Sequence, residues 1–319
     1  VEQESANRFD GSTLGFTGRS GSNPVQRFPN RTFTEYAACG DGNLPFMARD
    51  TYSIVLDLAK TVNRHFVKFG ARIGQGRFYE KNPGDWNGRF NFTKSFSQRD
   101  AQRGDATSGN AMAEFLLGYP SSGGTDVNPQ PAYANKFLGL YVQDDIKLRP
   151  SLTVNLGLRW DVQTAPTERF NRQVIDFNSD ISYPLGPSQA RGGLTFADGN
   201  HRQPFDTKFR DLQPRLGLAW QANRKIVLRS GYGLSFLPLN GIGGAGGVSQ
   251  TGFARRTPLV ATIGGGVNSY IPGLPGAGTF QDPFPTGILP PLGSALGLKT
   301  YVGQAVTILD RAYEIPRVH

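Results

Sequence analysis

The fold of this chain is decided by residues 136–161, KFLGLYVQDDIKLRPSLTVNLGLRWD. After the turn at 149–151 the residues alternate strictly between apolar and polar, and the apolar positions are Leu152, Val154, Leu156, Leu158 and Trp160. Successive side chains of a β-strand point to opposite faces, so this pattern predicts a strand with one apolar and one largely polar wall. The residues before the turn alternate in the same way, which predicts a β-hairpin. Asp144 interrupts its apolar face near the turn, where a polar side chain is expected to meet water.

Two environments would produce such a hairpin, a water-soluble sandwich and a lipid bilayer. Each alternating run covers about nine to eleven residues, which is the length that a tilted strand needs to cross a bilayer. Strands of soluble sheets usually have about five or six residues. Strand length therefore favours the bilayer, and the connections between the strands provide a second criterion.

Two further hairpins have the same character. One alternates from Tyr52 to Ile73 around a tight turn at 62–64, and the other spans 211–236 with a turn at 222–225. The opposite ends carry loops of about forty to sixty residues, whereas compact soluble domains seldom hold structureless loops beyond about fifteen residues. Short turns at one end and long loops at the other are typical of outer-membrane β-barrels, whose closed wall pairs every backbone group in lipid.

The sequence therefore predicts an all-β fold: an antiparallel transmembrane β-barrel sector of about eight or nine strands, with long extracellular loops and one short helix. The helix is expected at 109–119, with Met112, Phe115 and Leu116 on one face. The expected order is a loop at 1–50, strands and loops at 51–236, a Gly/Pro-rich extracellular loop at 237–300 and the start of a next strand at 301–319, near 302–309. Inside the second of these regions, short strands are expected near 89–96 and 121–130, and a loop with short extended pieces at 164–207. We interpret the chain as an internal fragment of a longer protein, because it starts at Val1 and ends without a clear final strand.

Composition and motifs argue against several other classes of protein. The 319 residues contain no apolar run long enough for a transmembrane helix, which needs about eighteen residues or more. The net charge is +9, but the basic residues are scattered and form no nucleic-acid motif, so no nucleic-acid partner is predicted. Cys39 is the single cysteine and the three histidines lie far apart, so neither a nucleophile nor a metal site is predicted. The GxGxxG match at 241–246 enters more Gly/Pro sequence instead of a helix, which does not fit a dinucleotide. We therefore predict no enzyme activity and no cofactor.

Several motifs resemble those of one family. The segment YVQDD at 141–145, followed by LTVNLGLR at 152–159, is similar to a hairpin of TonB-dependent outer-membrane receptors, with Ile146 where an aromatic residue is usual. Four further segments follow the order found in the large Oar-like branch of that family: HFVKFG from His65, AEFLLG from Ala113, PRLG from Pro214 and RSGYG from Arg229. The resemblance implies a barrel of about twenty-two strands with a plugged lumen, energised by TonB. We find no plug sequence and no TonB box here, so contacts with the plug domain and with TonB would involve parts absent from this chain.

The residues that we expect to face the lumen are mostly cationic: Lys68, Arg72, Asp145, Arg159, Arg215 and Arg229. They occupy polar positions of the three hairpins, and a positive lumen would attract anionic solutes. With the turn centred near Pro150, Asp145 is expected opposite Asn155, and Tyr141 opposite Arg159.

Two functions are compatible with these patterns. The preferred one is an outer-membrane receptor barrel for uptake of a large, scarce nutrient, a glycan or a metal chelate. Its partners would be the outer-membrane lipid and that nutrient. The alternative is a secreted or cell-surface β-sandwich adhesin. The two differ in the environment of Leu152, Val154 and Leu156, which a sandwich would cover with a second sheet or packed helices.

Overall fold

The computed structural model describes residues 28–40, 45–100, 105–237, 250–262, 278–303, 306 and 308–318. The chain divides into two compact units. The first comprises Val1–Phe46, Lys81–Gln130 and Gly252–Gly293, and the second comprises Met47–Glu80, Pro131–Thr251 and Ser294–His319.

The described residues are mainly β-strands with one α-helix. In chain order they are β1 (Asn30–Phe33), β2 (Phe46–Val62), β3 (His65–Lys81), β4 (Arg89–Phe92), α1 (Ala111–Leu117), β5 (Ser122–Val127), β6 (Ala132–Arg149), β7 (Leu152–Gln163), β8 (Thr167–Glu168), β9 (Val174–Leu185), β10 (Ser188–Phe196), β11 (Lys208–Gln221), β12 (Val227–Gly233), β13 (Ser235–Phe236), β14 (Arg255–Pro258) and β15 (Arg317–Val318). A 3-10 turn lies at Gly297–Lys299. No helix of the described residues is both long and apolar enough to span a membrane.

The second unit contains the sheet that the opening stretch predicts. Its strand order is β12-β11-β7-β6-β3-β2, and β8 pairs with β6. The order in the sheet is the order along the chain, with other elements between β3 and β6 and between β7 and β11. The three turns lie at residues 63–64, 150–151 and 222–226, and each joins two neighbouring antiparallel strands. Long connections join the hairpins at the other end, as the sequence predicts.

One face of this sheet is apolar and uncovered. Cross-strand partners share a face, so the register Leu156↔Leu216 and Leu158↔Val142 extends the apolar wall of β7 over its neighbours. Leu156 remains 44% exposed and Leu216 53% exposed. Among the described residues, neither a second sheet nor a helix covers this wall, which is the arrangement that a sandwich would require. A soluble monomer rarely exposes an apolar patch of this extent.

The height of the apolar band matches a bilayer. On β7 it runs from Leu152 to Val162, which is about 34 Å of extended strand. A tilt of 35–45° reduces this length to about 25 Å, the height of the lipid-facing band of outer-membrane barrels. Trp220 pairs with Leu152 at the turn end, and Trp160 lies near the other end, so aromatic side chains flank the band.

The first unit is built on a four-stranded sheet of order β1-β4-β5-β14. Its core is aromatic: Phe90, Phe92 and Phe280 are buried, with Phe33 and Phe115 packed against them. The helix α1 starts at the Asn110 cap, whose side chain accepts a hydrogen bond from the Met112 backbone N–H at 2.8 Å. It ends at Gly118, whose φ of 78° is the left-handed conformation that glycine adopts most readily.

The helix is confirmed, and the three residues predicted to share a face differ in their burial. Ala111 and Glu114 are its buried residues, whereas Leu116 is 78% exposed. Of the three residues predicted to share a face, Phe115 packs on the aromatic core. The inward side can be polar because hydrogen bonds from neighbouring loops satisfy Glu114.

The long connections contain more regular structure than the sequence indicates. Within 164–207, β9 and β10 form an antiparallel hairpin where a loop with short extended pieces was expected. The expected loop at 1–50 includes β1 and the start of β2, and its residues 1–27 and 41–44 lie outside the described part. The expected loop at 237–300 includes β14, with 238–249 and 263–277 outside the described part. The strand expected near 302–309 is not found in the described residues there, and β15 is the strand that follows.

Candidate functional site

The polar face of the seven-stranded sheet carries the six residues predicted to face the lumen. The register Lys68↔Gln143, Gln143↔Gly157 and Gly157↔Arg215 places Lys68 and Arg215 in one row across four strands. The same registers place the other members on this face: Arg72, Asp145, Arg159 and Arg229. That this face lines a lumen stays a prediction.

Asp145 lies at the centre of a hydrogen-bonded group. Its Oδ1 accepts hydrogen bonds from Gln143 Nε2 at 3.0 Å and from Asn155 Nδ2 at 2.6 Å. Lys68 Nζ lies 3.8 Å from its Oδ2. The predicted position opposite Asn155 is confirmed. These contacts satisfy the Asp145 carboxylate, which in turn holds its three partner side chains in place on the polar face.

Arg159 forms a two-pronged ion pair with Asp161. Its Nε donates to Asp161 Oδ2 at 2.9 Å, and a terminal nitrogen lies 2.9 Å from Oδ1. Gln213 Nε2 adds a hydrogen bond of 2.5 Å to the same carboxylate. The predicted register of Tyr141 opposite Arg159 is confirmed, but the Tyr141 hydroxyl donates to Asp57 at 2.7 Å.

The other cations of this face are free to meet a solute. Arg215 and Arg229 form no hydrogen bond or ion pair with the residues that the structure describes, and the Arg72 guanidinium lies 5.0 Å from the ring centre of Phe137. A cavity of about 320 Å³ opens beside Lys68, Arg159 and Arg215. Lys68 and Arg159 are paired with carboxylates, so Arg215 is the cation of this cavity that remains to contact an anionic group.

Gly70 permits the close packing around Tyr141. A Cβ at this position would lie 2.5 Å from Tyr141 Cε1 and 2.7 Å from the Leu56 carbonyl oxygen, and it would collide with the Asp57 carboxylate. Gly231 lies on the same face, where an added Cβ would meet only the Leu216 carbonyl oxygen, at an ordinary 3.5 Å.

We expect Gly70→Ala to lower the free energy of unfolding by about 1–2 kcal/mol, because the extra methyl group forces Tyr141 and Asp57 apart. Gly231→Ala is the matched control and is expected to change it by less than about 0.5 kcal/mol. Urea unfolding in detergent, followed by tryptophan fluorescence, measures both. Equal values for the two variants would show that the packing at Gly70 is unimportant.

No group of three or more His, Cys, Asp or Glu side chains that could hold a metal ion occurs within the described ranges. Cys39 is a free, exposed thiol, and the GxGxxG match at 241–246 lies outside the described residues.

Sequence reasoning missed a second cationic group, on the opposite face. Arg77 and Lys136 belong to it, and both continue the alternation of the apolar wall past its end. Arg169 and Arg202 come close to them in the fold. The signal in the sequence was the change from apolar to basic residues within one face of β3 and β6.

Comparison with known proteins identifies one relationship. A family model described as an outer membrane beta barrel domain matches residues 1–319. No curated protein and no solved structure matches the chain. The match agrees with the uncovered apolar wall and the antiparallel meander, and it confirms the predicted β-barrel fold class.

Proposed function

Because the chain belongs to the outer membrane beta barrel domain family, we propose that it forms part of a TonB-dependent barrel for uptake of a large, scarce nutrient, a glycan or a metal chelate. The observation that carries this proposal is an exposed apolar wall whose strands carry, on their opposite polar face, arginines that no carboxylate of the described residues pairs, Arg215 and Arg229. The wall places the sheet in the outer membrane, and the polar face supplies a surface along which a solute can move. The motifs that resemble TonB-dependent receptors support the TonB-driven form of transport.

The polar face would act by attracting and guiding anionic groups. Arg215 and Arg229 have no partner within the described part of the chain, and the glycines between them leave the surface open. A low-dielectric wall focuses the field of such cations and raises the local concentration of anions. A ferric chelate or an acidic glycan fits this chemistry better than a neutral solute of the same size.

The alternative of a β-sandwich adhesin finds less support. A sandwich needs a second layer over Leu152, Val154 and Leu156, and the described residues provide none.

The proposal is tested by uptake in cells that express the protein in its full reading frame. Fluorescent oligosaccharides and ferric chelates too large for porins are supplied to cells with and without TonB. We expect at least one probe to accumulate only when both the protein and TonB are present. Accumulation that persists without TonB would be compatible with an outer-membrane barrel but would contradict uptake energised by TonB.

Arg215→Gln is expected to lower the initial uptake rate of an anionic probe about fivefold at low ionic strength, because it removes one unpaired cation from the path. Arg224→Gln, in the turn at 222–226, removes the same charge outside the path and should have no effect. An equal loss in both variants would show that only the net charge matters.

A further inference from the structure

A cavity of about 890 Å³ lies at the ends of β3, β6 and β8 that point away from the short turns. Four cationic side chains line it: Arg77, Lys136, Arg169 and Arg202. Asp50 is the one carboxylate among its lining residues. The cavity therefore carries an excess of positive charge, and it is separate from the polar-face residues described above.

The cavity opens on the apolar side of the sheet. The register of β3 and β6 runs without a shift through Ile73↔Leu138, Gln75↔Lys136 and Arg77↔Ala134, so Lys136 and Arg77 share the face of Ile73 and Leu138. Lys136 precedes Leu138 by two residues, which is about 7 Å along the strand. The cationic group thus begins where the apolar band ends, on the side that faces lipid.

The neighbouring loop holds two of the cations in place. The Arg202 guanidinium donates to the Glu168 backbone oxygen at 2.6 Å and to Asn171 Oδ1 at 2.7 Å. The Arg169 backbone N–H donates to the Ala132 oxygen at 2.8 Å, which continues the pairing of β8 with β6.

This loop is itself rigidly organised. Glu168 is fully buried, and its carboxylate accepts the backbone N–H groups of Phe170 at 2.7 Å and Arg172 at 2.9 Å. A buried carboxylate with several hydrogen bonds fixes the surrounding backbone. The cavity is therefore formed before a ligand arrives, at little ordering cost on binding.

Three of the four cationic side chains that line the cavity are not neutralised by a carboxylate of the described residues. Arg77, Lys136 and Arg169 form no ion pair with any residue that the structure describes. The Arg77 guanidinium lies 5.3 Å from the ring centre of Tyr52, which steadies it and leaves its N–H groups for a ligand.

We propose that this cavity binds the phosphate groups of a phosphorylated lipid of the outer leaflet, with the acyl chains lying against the apolar band below. The short turns of outer-membrane barrels face the periplasm. The cavity lies at the opposite ends of the strands, which places it at the outer leaflet. Arginine and lysine are the usual phosphate ligands in proteins, and cations near a membrane surface attract anionic headgroups. The inference rests on the placement in the outer membrane and is independent of nutrient uptake.

The test uses the full chain in neutral detergent micelles, with bis-phosphorylated lipid A as the probe and its dephosphorylated form as the comparison. Native mass spectrometry counts the retained lipid. We expect the unmodified chain to retain the phosphorylated form at least about tenfold better, a comparison that needs no variant. Equal retention of the two forms would overturn the proposal.

Two matched variants locate the site. Arg77→Gln/Lys136→Gln should lose about tenfold or more in retention, whereas Arg224→Gln/Lys225→Gln removes the same charges at the short-turn end and should lose none. Equal losses would assign the effect to net charge and reject the cavity. Inorganic pyrophosphate is added as a soluble competitor, and full displacement of the lipid at similar concentration would show that the site takes free phosphate groups instead. Uptake that fails while lipid retention holds would reject only the transport function.

Discussion

Leu216→Arg is expected to weaken folding of the chain into phosphatidylcholine vesicles by about 2–4 kcal/mol. Leu216 lies near the middle of the apolar band, where it pairs with Leu156 and Tyr232. A charge at the bilayer midplane loses its hydration, and the two residues paired with Leu216 carry no charge that could compensate for the loss. In water, an arginine at such an exposed position would change stability by only about 0.5 kcal/mol. The size of the effect therefore reports whether this wall contacts hydrocarbon.

The matched control for this variant is Leu228→Arg. Leu228 lies on the same face and is also 53% exposed, but it pairs with Trp220 at the turn end of the band. Substitution at the interface is expected to cost about 0–1 kcal/mol, because the arginine reaches water and headgroups. Urea titration of vesicle folding, followed by tryptophan fluorescence, measures both variants. Equal costs at the two depths would contradict a transmembrane wall.

Glu114→Ala is expected to destabilise the first unit by about 3 kcal/mol. The Glu114 carboxylate accepts hydrogen bonds from the backbone N–H groups of Thr93 at 2.9 Å and Phe96 at 2.6 Å, and from the Ser121 hydroxyl at 2.7 Å. Alanine removes the buried acceptor that these three donors share, and the Thr93 N–H keeps only the longer contact with Ser121 Oγ, at 3.2 Å. Hydrogen exchange at Thr93 and Phe96 measures the loss, and unchanged protection would show that the carboxylate is dispensable.

The same residue makes the first unit sensitive to pH. Burial raises the pKa of the Glu114 carboxyl above its ordinary value of 4.5. A group whose pKa is higher in the folded state contributes its stability fully below the unfolded pKa and loses it as the pH rises through the folded pKa. We therefore expect protection at Thr93 and Phe96, corrected for intrinsic exchange, to decrease as the pH rises above about 4.5.

Glu114→Gln is the control for the pH effect. Glutamine keeps one acceptor oxygen and does not titrate. The protection of Thr93 and Phe96 in this variant should therefore lie between that of the unmodified chain and that of Glu114→Ala, and it should stay constant as the pH rises. A decrease with pH in Glu114→Gln as well would assign the effect to another group.

The wall of the sheet was predictable because its information is local. Alternation with a period of two assigns each side chain to a face, and the turn predicted at 149–151, centred on Pro150, then sets which residues lie opposite each other; the structure reaches this register with a shift between Lys147 and Arg149. The register of Asp145 with Asn155 and of Tyr141 with Arg159 follows from those two facts, and the structure confirms both. The strands are longer than the predicted runs, since β3 and β6 continue past the apolar band to Lys81 and Ala132.

The long connections were not predictable in the same way. The hairpin of β9 and β10 carries many polar residues, so it lacks the apolar period that marks the wall strands. The buried side of α1 depends on Glu114, whose donors are Thr93 and Phe96, in the segment after β4, and Ser121. Contacts of that kind join distant parts of the chain, and no local pattern encodes them.

The sequence by itself determined the class of fold, the apolar and polar faces of three hairpins and the end at which the turns are short, because strand geometry and turn length are properties of neighbouring residues. Tertiary structure alone decided which polar residues become bound to one another and which stay free. It pairs Lys68 with Asp145 and leaves Arg215 open, and it brings Arg202 beside Arg77 across more than a hundred residues. The physical reason is that a charge becomes a site only through its neighbours in space, and folding chooses those neighbours.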